Sequence, residues 1–140
     1  MMVTRVHQPF RLLITDDNRS FRETLREILE DRPWLDLMEA ESGEEAVELV
    51  RQVRVDIVLL DMHMHVMTGL DTLRVLKSLD AIRPCILITS DANDELRRHA
   101  RDANAFSVLR KPVPRQELTS VVTNALISAY QITDPDVGLQ

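Results

Sequence analysis

The run Val55-Asp56-Ile57-Val58-Leu59-Leu60 limits what this chain can fold into more than any other segment. It is apolar apart from Asp56 and built from Val, Ile and Leu, the composition of a strand covered on both faces and therefore central in a parallel sheet. Parallel strands need crossovers, and the flanking sequence supplies them. Residues 10–15 form a short apolar run, after which Phe21, Leu25, Ile28 and Leu29 recur at helical spacing until Pro33. Residues 35–40 read as a weaker strand, and Ser42 with Glu45 makes a capping box before a helix with Ala46, Leu49, Val50 and Val53 on one face. Thr68 can cap a third helix carrying Leu70, Leu73, Leu76 and Leu79, and Pro84 leads into a fourth strand over 85–89. Asp91 can cap a fourth helix whose apolar positions are only Leu96, Ala100 and Ala103, which predicts the most loosely held helix. Residues 106–109 give a fifth strand, and Pro114 suits the first position of a last helix with Leu118, Val121, Val122, Ala125 and Ala129 facing inward. Five strands alternating with five helices predict an α/β three-layer sandwich, a parallel sheet with right-handed helical crossovers.

A chain of 140 residues suits one domain with one core of ordinary size. The boundaries are an N-terminal extension over 1–9, the domain over 10–131 and a frayed C-terminal tail over 132–140. The nine tail residues are too few to fold into an output domain. A net charge of -6 argues against a broad nucleic-acid surface, which needs a basic stripe. The longest apolar runs fall far short of the ~20 residues of a bilayer span. The N-terminus lacks the apolar stretch of a secretory signal, and the single Cys85 cannot form an internal disulfide, so the cytoplasm is the expected compartment. Cys85 follows Pro84 in an apolar run and reads as a buried, inert thiol.

In open sheets of this class the functional site lies at the carboxyl ends of the strands, where strand order reverses. The chemistry-bearing residues stand at such ends: Asp16 and Asp17 after the first strand, Asp61 after the third, Thr89 after the fourth, Lys111 after the fifth. The spacings, 44 residues from Asp17 to Asp61, 28 to Thr89 and 22 to Lys111, each fit whole helix-plus-strand units. Asp16 and Asp17 alone read as helix caps and Lys111 alone as a surface charge; together they predict a converging site. Three gathered carboxylates repel, and Lys111 offsets only one charge, so a hard divalent cation, Mg²⁺, is expected among them. With that charge offset, Asp61 can attack phosphorus in line to give an aspartyl phosphate, and the Thr89 hydroxyl can donate to a phosphoryl oxygen.

Asp16-Asp17, Asp61 in DMHMHVMTG, Thr89, and Lys111-Pro112 in this order resemble the signature of the response regulator receiver domain of two-component signalling, over about residues 10–130. The resemblance implies a flavodoxin-like fold with strand order 2-1-3-4-5 and a phosphoryl group received on Asp61 from a sensor histidine kinase or phosphotransfer protein. It implies Mg²⁺ bound directly by Asp17 and Asp61, through water by Asp16, and by the backbone carbonyl of His63. Lys111 becomes the phosphoryl counter-charge and Thr89 the switch hydroxyl. Such a domain is a switch rather than an enzyme acting on other molecules: it catalyses its own phosphorylation and dephosphorylation and then controls a downstream protein.

Three features set the chain apart within the family pattern. His65 replaces the usual proline four residues after the acceptor, and Val108 replaces the usual aromatic three residues before the lysine. Phe106 on the same strand face is a possible substitute, although a core phenylalanine is the plainer expectation. His63 and Asp91 occupy positions that influence phosphate lifetime in the family. A zinc site at His63 and His65 is disfavoured because alternate loop residues diverge and no soft third ligand lies near; they and His7 and His99 are expected to be solvated. A haloacid-dehalogenase-like phosphatase, the enzyme alternative, needs a second acid where His63 stands. A receiver-like interaction module independent of phosphorylation is the other alternative. Ile127 and Tyr130 fall off the inner stripe of the last helix and suggest a homodimer or partner contact there.

Overall fold

A computed structural model describes residues 8–136. The strands are β1 (Phe10–Thr15), β2 (Leu35–Ala40), β3 (Ile57–Asp61), β4 (Cys85–Thr89) and β5 (Ser107–Arg110), alternating with the helices α1 (Arg19–Leu29), α2 (Gly43–Gln52), α3 (Gly69–Leu79), α4 (Asp94–Asp102) and α5 (Arg115–Tyr130). All strand pairs are parallel and the order is β2-β1-β3-β4-β5, the flavodoxin-like arrangement expected from the sequence. Strand order reverses at β1, so the crevice between the carboxyl ends of β1 and β3 is the place for a site.

Period-two alternation along the central strands builds two cores. Leu12, Ile14, Ile57, Leu59, Ile86 and Ile88 face α1 and α5, whereas Leu13, Val58, Leu60, Cys85 and Leu87 face α2, α3 and α4. Every residue of β3 and of β4 is buried, which is why both runs lack polar alternation. Cys85 is fully buried, and burial pushes its thiol up to about 11, the inert state expected of it. In α4 only Ala100 is buried, in keeping with its sparse apolar stripe.

Several local expectations are corrected. Val55 and Asp56 precede β3 rather than belong to it: Asp56 is buried, accepts the Arg11 N–H at 2.7 Å, and pairs with Arg54. Asn93 caps α4 in place of Asp91, whose N–H is instead taken by Thr89. The Ser42 box is half formed: Ser42 accepts from the Glu45 N–H, while the Glu45 carboxylate reaches the N–H of Glu41. Thr68 and Asp71 make the complete reciprocal box on α3. Pro114 is the N-cap of α5, one position outside the helix.

Helix α4 ends with Asn104 in the left-handed region and paired bonds from Asn104 and Ala105 back to Arg101 and Ala100. This stop places Phe106 just before β5 and 41% exposed, not in the core. The tail is anchored over its described part: Ile132 packs on the α1/α5 core and the Asp136 carboxylate accepts from Trp34 Nε1 at 2.8 Å. Tyr130 turns inward, its ring stacked on Phe10 and its hydroxyl donating to the Asp56 carbonyl at 2.7 Å. Of the two off-stripe residues, Ile127 alone is left to support a contact through α5, and it is half-buried. His7 lies outside the described residues.

Candidate functional site

Strand register brings the site together. Thr15 pairs with Leu60, so Asp16 stands beside Asp61; Asp61 pairs with Ile88 and Thr89 with Arg110, so each chemistry-bearing residue lies one step beyond its neighbour's last pair. One carboxylate oxygen each from Asp16, Asp17 and Asp61 lies within 4.8 Å of the others. Asp16 and Asp61 are buried and Asp17 is exposed, which opens the cluster to solvent on one side.

Lys111 closes the cluster from β5. Its Nζ is 2.9 Å from Asp61 Oδ1 and 3.2 Å from Asp16 Oδ2, and it sits 3.9 Å above the centre of the Phe21 ring. The ring face adds a favourable cation contact without a further charge. Burial raises the Asp61 carboxyl above its ordinary pKa; the Lys111 hydrogen bond opposes this, while the charges of Asp16 and Asp17 add to it. For Lys111 burial lowers the pKa, but the bonds to Asp61 and Asp16 outweigh it and the net shift is upward.

Two residues hold the acidic loop. Asp16 accepts the Asn18 N–H at 2.8 Å, shaping the turn into α1. Its own carbonyl accepts from Arg22 Nη1 at 2.7 Å, and the buried Arg22 pairs with Glu39 at 2.9 Å and Glu41 at 3.6 Å. Burial raises the Glu39 carboxyl, but Arg22 and Arg26 together bring it below its ordinary value. Neither Arg22 nor the role of Phe21 beneath Lys111 was singled out from the sequence. Their partners stand on β2 and after β5, so no local spacing signals them. On the far side of Asp61, a Cβ on Gly69 would lie 2.4 Å from the Asp61 carbonyl oxygen. Only glycine lets α3 begin this close to the acceptor.

The Thr89 side chain is buried among other partners. Its hydroxyl accepts the Asp91 N–H at 3.1 Å and lies 3.4 Å from both the Asp91 carbonyl and His63 Nε2. The Lys111 N–H donates to the Thr89 carbonyl at 2.8 Å, tying the ends of β4 and β5 together. The His63 ring is turned to Thr89 and is not part of the carboxylate cluster, and His65 is exposed. Phe106 lies beside Cys85, four residues before Thr89 and about 13 Å away at 3.3 Å per residue, too far to replace the missing aromatic. Three clustered carboxylate oxygens with no nitrogen or sulfur are a donor set for a hard cation such as Mg²⁺, so the residues fit that ion.

The response regulator receiver domain model matches residues 12–123. This chain belongs to that family. Among its relatives, the chemotaxis protein CheY of Halobacterium salinarum is 31% identical over 116 residues, 83% of this chain and 96% of that protein. A response regulator receiver protein of Anaeromyxobacter sp. (strain Fw109-5) is 40% identical over 103 residues, 74% of this chain. The chain spans only 43% of that relative and 60% of the transcriptional regulatory protein PdtaR of Mycobacterium tuberculosis. A solved CheY-like receiver domain protein of Methanospirillum hungatei, 22% identical, superposes with a TM-score of 0.83 over 89% of this chain and 98% of its own, and shows the shared fold. The CheX-CheY-BeF3-Mg complex of Borrelia burgdorferi contains a chain 26% identical to this receiver, with a TM-score of 0.79 over 84% of this chain and 90% of its own.

Proposed function

We propose that this receiver is a Mg²⁺-dependent phosphoacceptor in a phosphorelay, with Asp61 taking the phosphoryl group of a phosphohistidine on a sensor histidine kinase or phosphotransfer protein. The observation that carries the reading is Lys111 Nζ seated between Asp61 and Asp16 inside a three-carboxylate cluster. In the transfer, an Asp61 carboxylate oxygen forms the new bond to phosphorus as the phosphorus–nitrogen bond of the donor breaks. The bonding pair returns to the imidazole nitrogen, which takes up a proton, and an acyl phosphate remains on Asp61. Mg²⁺, held by Asp17, Asp61 and the His63 carbonyl, and by Asp16 through water, would supply neutralising charge for the phosphoryl oxygens. Lys111 releases Asp61 and follows the incoming phosphoryl oxygen, while Arg22 keeps the Asp16 loop in place.

The Thr89 hydroxyl then donates to a phosphoryl oxygen, and β4 with the lightly packed α4 rearranges to control a downstream protein. Hydrolysis of the acyl phosphate resets the switch, so the chain turns over only its own phosphoryl group. The cytoplasm is the compartment in which such donors would meet it. Among the described residues no helix is long and apolar enough to cross a membrane. A homodimer through α5 now rests on Ile127, and sedimentation of Ile127→Asp with beryllofluoride bound tests it. Incubation with acetyl phosphate and Mg²⁺ followed by intact mass tests the main reading: one labile phosphoryl adduct is expected, absent in Asp61→Asn. An unlabelled protein supports the interaction module instead, and steady hydrolysis of phosphomonoesters the phosphatase.

A further inference from the structure

We infer that the His63 imidazole is the latch of the Thr89 switch in this chain, where Val108 stands at the position the family pattern fills with an aromatic side chain. The inference rests on the phosphoacceptor reading and concerns a positioning residue, since His63 acts through Thr89. Two independent observations carry it. First, the Thr89 side chain alternates with Leu87 and Cys85, on the α2/α3/α4 side of the sheet, whereas Asp61 alternates with Leu59 and Ile57 on the α1/α5 side. The resting hydroxyl therefore starts on the far face and must rotate about its χ1 bond to reach a phosphoryl group on Asp61. Second, that hydroxyl is fully committed where it is: it accepts from the Asp91 N–H at 3.1 Å and faces the Asp91 carbonyl and His63 Nε2, each at 3.4 Å.

A hydroxyl has one proton and two lone pairs, and this arrangement uses them in either histidine tautomer. With Nε2 protonated, His63 donates to the oxygen and the hydroxyl proton goes to the Asp91 carbonyl; with Nε2 bare, the hydroxyl donates to His63. The Asp91 bonds are local to a turn two residues long. The His63 contact is the one that comes from another element, the loop after β3, and so couples the switch hydroxyl to the acceptor's own loop. Val108, half-buried against the α2/α3/α4 core, has no polar atom with which to do this. His63 is exposed, so replacing it leaves the cores intact.

The test is the affinity of the whole chain for beryllofluoride with Mg²⁺, by titration calorimetry, in a double-mutant cycle. Loss of a resting-state hydrogen bond favours the switched state, so His63→Ala is expected to tighten binding about fivefold. His63→Gln, which keeps an N–H donor at similar reach, is expected to stay within about twofold of the parent. In a Thr89→Val background, His63→Ala is expected to change nothing. An equal change in both backgrounds, or none in the parent, overturns the latch while leaving Asp61 as acceptor. A parent that binds no beryllofluoride overturns the phosphoacceptor reading itself, and the latch with it.

Discussion

At Asp61 burial and the neighbouring Lys111 pull in opposite directions, and burial wins. The carboxyl is raised above its ordinary range by desolvation, with Asp16 and Asp17 adding to the effect and Lys111 only partly countering it. A raised folded-state pKa means the protonated form is the one the fold prefers, so stability from this group is present at low pH and lost as pH rises through that pKa. Asp61→Asn, a neutral isostere, is therefore expected to raise the thermal midpoint near pH 7, with the advantage shrinking as pH falls; equal midpoints at both ends of a pH series would contradict this. The acceptor loop stores strain of another kind. Val66 has φ of 68° and is 88% exposed, and the Met67 N–H donates to the His65 carbonyl around it at 2.8 Å. A β-branched residue at the centre of such a γ-turn is unfavourable and recovers nothing by packing. Val66→Asn is expected to stabilise the protein by about 1 kcal/mol in urea unfolding, and an unchanged or lower midpoint would argue that the loop is not strained.

At the scale of elements, strand and helix positions and the convergence of Asp16, Asp17, Asp61 and Lys111 were legible because each rests on a local signal: an apolar run, a helical period, a carboxylate at a run's end; the strand order followed from the family resemblance. What was not legible depends on contacts distant in sequence. Asp56 sits in an apolar run yet precedes β3, because its carboxylate is spent on Arg11 and Arg54 and its carbonyl on Tyr130, 74 residues later. Tyr130 looked free on a helical wheel for the same reason. Phe106 is set by the left-handed turn at Asn104, which an apolar count cannot see. Within β4, the fully buried Cys85 ionises only near pH 11, against 9.0 for an ordinary thiol. A group kept neutral by the fold contributes stability below its unfolded pKa and loses it above, so alkali should remove about 3 kcal/mol between about pH 9 and pH 11. Denaturant melts of the parent against Cys85→Ala across that window check it: the variant's alkaline slope should be shallower, and parallel slopes would show that other groups carry the loss.

For the molecule as a whole, reversal of strand order at β1 puts Asp16 and Asp61 on adjacent strand ends, and the two-sided sheet buries both behind an exposed Asp17. The chain carries a net charge of -6. Its family membership fixes the fold and the class of signalling; the central claim, that Asp61 itself carries the phosphoryl group, is a statement about one covalent bond. Borohydride reduces an acyl phosphate to an alcohol, so treating the acetyl-phosphate-labelled protein with borohydride and mapping its peptides locates that bond. The account predicts homoserine in place of aspartate at position 61 alone, with Asp16 and Asp17 unchanged. Homoserine at position 16 or 17, or aspartate retained at all three after labelling, would contradict it.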